Sequence, residues 1–159
     1  MTQDHSNRGG APVGFITELD SIEAASVIYL RLWSDGPDSR AQVHSDFSTA
    51  LGVDQGHKAA KSFEQLYSLC AIHGRRPLMR HSIECKCLGA DESCFANFIA
   101  TAAEGEREDA MLIATLLVRV DMAPVVTSCA ADFGLALKRM HLAAPRDITP
   151  IHHQSTTLH

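Results

Sequence analysis

Leu19-Asp-Ser-Ile-Glu-Ala-Ala-Ser-Val-Ile-Tyr-Leu-Arg-Leu-Trp33 is the stretch that decides the fold. Its apolar residues recur at Leu19, Ile22, Ala25/Ser26, Tyr29 and Leu32/Trp33. That is the 3.6-residue period of a helix with one face toward a core. Thr17 or Asp20 supplies the cap. The cluster Ser34-Asp-Gly-Pro-Asp38 ends this helix and opens the next, whose apolar positions are Val43, Phe47, Ala50 and Leu51, with a stop at Gly52.

Working outward, the same period places a third helix from about Asp54 through Phe63, Leu66, Tyr67 and Cys70 to His73, closed by Gly74. A fourth opens at Asp91 and carries Phe95, Phe98, Ile99 and Ala102 to Gly105. Acidic Glu106, Glu108 and Asp109 suit the positive start of a fifth, with Met111, Ala114, Leu117 and Val118 inward. A sixth runs from Asp121 to about His141, Pro124 being tolerated in its first turn. Pro77–Gly89 has no clean period and reads as a structured loop. The prediction is an all-α, compact single-domain array or bundle of about six helices, with a Cys/His-containing loop between helices three and four. Its domain is 15–142, between polar tails at 1–14 and 143–159.

Composition agrees with this reading. Hydrophobic residues make up 45% of the 159, charged residues 21% and aromatics only 6%, an ordinary globular balance that favours helices over sandwiches. A chain of this length buries roughly 70% of its unfolded surface without needing a metal. The most apolar run, Ala110–Val118, is too short to span a bilayer, and the N-terminus lacks the apolar core of a secretory signal. The expectations are therefore a cytoplasmic protein and no membrane partner.

Chemistry concentrates in one place. Four of the five cysteines and two histidines lie within residues 70–94: Cys70-x2-His73, then His81-x3-Cys85-x-Cys87-x6-Cys94. Thiolates and neutral imidazoles are the donors that close a zinc site, so His81, Cys85, Cys87 and Cys94 form the expected ligand set. Cys94 falls at the start of helix four, where a helix end favours the thiolate. Cys70 and His73 share one helix face and are alternative ligands, although Cys70 also lies on an apolar stripe and His73 suits a helix C-terminus. An odd cysteine count in a reducing compartment points to ligands, core packing or a redox thiol rather than a disulfide framework. Tail residues His152, His153 and His159 have no ligand spacing.

The net charge of −5 repels phosphate backbones overall. Locally, residues 73–86 hold four bases (Arg75, Arg76, Arg80, Lys86) against one acid, whereas residues 87–118 hold six acids against one base. The four bases are the candidate anion-binding patch, with Lys58 and Lys61 nearby. Phe47–Val53 resembles the turn of a helix-turn-helix, but Lys58 and Lys61 stand where that motif wants apolar residues. There is no phosphate-cradling Gly loop, G-x-S-x-G elbow or H-E-x-x-H, and an enzyme is not the favoured class. The functional expectation is a small metal-binding (zinc) or metal/redox-sensing helical protein with a regulatory role, acting with a protein partner or as a homo-oligomer. The alternatives are a nucleic-acid-associated regulator using the 75–86 cluster and a small thiol-dependent enzyme pairing Cys94 with His81.

Overall fold

The computed structural model describes residues 5–143. The tail histidines His152, His153 and His159 lie outside the described residues. Six helices build the molecule: α1 (Ser21–Asp35), α2 (Pro37–Leu51), α3 (Val53–His73), α4 (Ala90–Ala103), α5 (Arg107–Leu117) and α6 (Ala123–Ala143). The all-α expectation holds, with each helix within a few residues of its sequence-based bounds.

Local chemistry accounts for the punctuation. The Asp20 carboxylate accepts the Glu23 N–H at 2.8 Å and caps α1. Gly36 (φ 131°) and Gly52 (φ 86°) make the two sharp junctions on either side of α2 in conformations that side chains rarely adopt. Gly56 looks like a weakness in the start of α3, but a Cβ there would fall 2.7 Å from the Phe47 carbonyl group. The missing side chain is what lets α2 and α3 pack closely.

Helix α6 packs against all five others. By length and apolarity, Val120–Leu142 would suffice to cross a membrane, yet half of it is buried, as suits a central core helix. Phe133 of α6 lies 4.6 Å, centroid to centroid, from Phe63, which meets Trp33 edge-on at 5.5 Å. Gly134 brings α6 against Ala103 and the Ile99 carbonyl of α4.

Two features differ from expectation. The fully buried residues of α1 are Ser26, Val27, Leu30, Arg31 and Trp33, while Ile22, Tyr29 and Leu32 are only partly buried. The helix is covered on two sides, by α2 and by α4, so a single stripe understates its buried face. In addition, strand β1 (Pro12–Phe15) begins within the expected N-terminal tail, 1–14, and pairs antiparallel with β2 (Cys87–Gly89) inside the cysteine loop. Strands this short carry no period of their own, and their stability comes from the Val27, Leu88 and Ala96 cluster beneath, flanked by Ile16 and Leu19.

Candidate functional site

The cysteine loop is organised by an arginine and a glutamate. Arg31, in the third turn of α1, is 2% exposed, and Glu92, in the first turn of α4, is fully buried. The guanidinium grips the carboxylate in bidentate fashion, Nε to Oε2 at 2.6 Å and Nη2 to Oε1 at 2.8 Å. Its remaining N–H groups donate to the carbonyls of Ser82 (3.1 Å), Cys85 (2.6 Å) and Cys87 (2.7 Å). All five donors of the fork are thereby used. The carboxylate also accepts the N–H of Gly89 at 3.0 Å and of His81 at 3.4 Å. Burial by itself raises the Glu92 pKa. The Arg31 fork and these two N–H groups outweigh it, and the carboxyl ends below its ordinary value.

Asp91 clamps the other arm of the loop. It takes a bidentate pair of bonds from Arg76 and accepts the Met79 N–H at 2.8 Å. Gly9 of the N-terminal segment stands directly against this ion pair, where any Cβ would lie 2.1 Å from Asp91 Oδ2.

On this frame His81 and Cys85 meet. His81 Nδ1 lies 3.8 Å from Cys85 Sγ, and Nε2 lies 2.9 Å from the Gly10 carbonyl oxygen. A carbonyl only accepts, so Nε2 carries the hydrogen and, in the neutral ring, Nδ1 presents its lone pair to the sulfur. Gly89 completes the seat, since a Cβ at that position would fall 3.0 Å from the imidazole. Cys87 is the neighbour of Cys85: burial, then the adjacent Cys85 thiol, push its pKa up, while Arg31 pulls it down.

Cys94 stands apart. Helix α4 begins at Ala90, so Cys94 lies a full turn in and gains nothing from the free N–H groups of the helix end. It packs against the main core beside Asp91 and Arg76. Burial, then Asp91, raise its pKa against the pull of Arg76, which reverses the expected lowering. Among the described residues no three His, Cys, Asp or Glu side chains already converge as a metal-holding group. The structure thus sets His81 against Cys85 and Cys85 beside Cys87, while Cys94 packs against the main core beside Asp91 and Arg76.

The alternative ligands are separate too. Cys70 is buried beside Cys129, and burial followed by that neighbour pushes its thiol up to about 12. His73 Nδ1 accepts from Arg119 at 3.3 Å, where Gly74 and Val118 form an isolated bridge. Within the basic cluster, Arg76 is tied to Asp91, Arg75 donates to the Thr115 carbonyl and Arg80 to the Leu78 carbonyl. The Lys86 carbonyl accepts the Ile16 N–H at 3.0 Å.

Arg31 is the residue that pattern reading missed. Its signal was a charged side chain next to Leu30 and four residues after Val27, inside an otherwise apolar stripe. Glu92, in the first turn of α4, accepts the Gly89 N–H as a helix-start carboxylate does, and its arginine partner is 61 residues away, beyond the reach of any local pattern. No family model matches the chain, and neither a curated protein nor a solved structure matches it.

Proposed function

We propose that this is a small metal-binding, metal- or redox-sensing helical protein with a regulatory role, and that its sensing element is His81, Cys85 and Cys87. The observation that carries the reading is the His81 ring. Its Nε2–H is committed to the Gly10 carbonyl and its Nδ1 faces Cys85 Sγ at 3.8 Å. Histidines that ligate metals are held in this manner, the second nitrogen donating to a carbonyl so that the first keeps a directed lone pair. Two thiolates and an imidazole suit a borderline or soft cation such as zinc. Binding would release the protons of the two adjacent thiols, Cys85 and Cys87. With Cys94 packed against the core, the fourth position falls to water or to a ligand from outside the chain.

The arrangement also connects the site to the surface. The Gly10 carbonyl and β1 belong to the N-terminal segment, so a change in His81 or Cys87 is felt by that segment first. This is how a sensor of this build reports its state to a partner.

The test is zinc titration of the reduced protein and of single variants. About one zinc per chain is expected, lost in H81A, C85S and C87S and retained in C94S. Absence of binding in the unmodified protein, or equal loss in C94S, overturns the ligand set. A metal-free protein in which Cys85 and Cys87 oxidise to a disulfide ahead of the other thiols would assign the loop to redox sensing alone.

A further inference from the structure

Helix α5 exposes an apolar face that no other element covers. Leu112 and Leu116, four residues apart on one stripe, are 68% and 69% exposed. Where the chain leaves the helix, Val120 is 65% exposed, and Ile72 at the end of α3 is 74% exposed. The ends of α3 and α5 are joined there by the Gly74–Val118 bridge and by the Arg119 N–H to His73 carbonyl bond. Leu112 and Leu116 thus form an exposed apolar stripe on α5, with Val120 and Ile72 exposed on the two segments that this bridge joins, and clustered exposed apolar side chains mark an interaction site.

The charges along this face identify what covers it. Glu108 lies one turn before Leu112 on the same stripe, and Arg119 and Arg75 lie beyond Leu116. All three are exposed. Glu108 and Arg75 form no salt bridge among the described residues, and the one ion pair of Arg119 is a 4.0 Å approach to the exposed Asp121; Arg75 also donates to the Thr115 carbonyl and Arg119 to His73 Nδ1. At about 1.5 Å per residue along the helix, Glu108 is roughly 9 Å from the midpoint of the two leucines, and the arginines lie past the opposite end of α5, where the Arg75 N–H bonds the Leu117 carbonyl and the Arg119 N–H bonds the His73 carbonyl. A face that is negative at one end, apolar in the middle and positive at the other is complementary to itself when inverted.

We propose that this face is a homodimer interface. Helix α5 of two copies packs antiparallel about a twofold axis between Leu112 and Leu116. Glu108 of each chain then lies opposite Arg119 and Arg75 of the other. A parallel arrangement would set like charges against each other. The leucines sit at the centre, where water is excluded, and the ion pairs form the rim and set the register. This assignment is independent of the cysteine loop and does not rest on its function.

Sedimentation equilibrium of the full chain from about 1 to 200 µM tests it. The protein is expected to be dimeric at the upper end and to dissociate on dilution. L112E/L116E should be monomeric throughout with unchanged helical circular dichroism, since both side chains are already in solvent. E108R alone, or R75E/R119E, should weaken the dimer about ten-fold or more, and E108R/R75E/R119E together should recover most of that loss. A monomer at every concentration, a dimer indifferent to L112E/L116E, or a triple variant no tighter than its parents each overturns the proposal. The first of these results would give the face to a different protein.

Discussion

The guanidinium of Arg31 and the carboxylate of Glu92, 61 residues apart in the chain, form a fully buried bidentate pair at 2.6 and 2.8 Å. This pair joins α1 to α4, and the cysteine loop hangs from it through three carbonyls. Replacing Arg31 with Met leaves a buried carboxylate unpaired and three loop carbonyls without their donor. R31M should lose about 3–5 kcal/mol of stability in urea denaturation. R31M/E92L, with no charge left behind, should lose clearly less than R31M plus E92L summed. Additive losses would mean that the pair is not coupled.

Glu92 makes a directional pH prediction. Its folded pKa is lowered, so its contribution to stability is present above the unfolded value, ~4.3, and is lost as pH falls through the folded value. Unfolding free energy should therefore drop on acidification below that point. E92Q should be less stable at neutral pH and show a shallower acid decline. An identical acid limb in E92Q would assign the decline to other carboxylates.

The five cysteines should separate by accessibility. Cys70, with its thiol pushed up to about 12, and Cys129, whose thiol burial and then Asp132 raise, are both buried. Alkylation of the native protein at about pH 8, followed by mass mapping, should modify the half-buried Cys85, Cys87 and Cys94 ahead of the buried Cys70 and Cys129. Cys70 and Cys129 should react only in denaturant. The raised folded value of Cys70 also means that its contribution to stability is complete below the unfolded thiol value, ~8.5, and is lost as pH climbs toward about 12. Early native labelling of Cys70 would contradict its place in the core.

Gly89 should matter through His81 rather than through backbone freedom. Its φ of −79° suits any residue, but a Cβ would lie 3.0 Å from the imidazole and 3.3 Å from Glu92 Oε1. G89A should tilt His81 away from Cys85 and weaken zinc binding by about 10–100-fold, the usual effect of disturbing the groups that orient a ligand. The global fold should survive, as read by helical circular dichroism. Unchanged zinc affinity would show that the ring does not need its present seat.

The sequence by itself determined the six helices and their order. Buried pairs three or four residues apart, Val43/Phe47, Phe63/Leu66, Phe95/Phe98 and Phe133/Leu137, keep a helical period within their helices, and the junctions at Gly36, Gly52 and Gly105 require a conformation that glycine adopts without strain. It also singled out His81, Cys85, Cys87 and Cys94, because a dense run of soft donors stands out in any composition. Tertiary structure alone decided which donors meet. Cys94 is close to Cys87 in sequence, but helix α4 turns it toward Asp91 and Arg76. Arg31 and Gly10 are distant in sequence, yet packing brings the one to the loop carbonyls and the other to the His81 ring. The period of a helix shows which residues face inward. The identity of the group they face is set by the crossing of two helices, which no local pattern encodes.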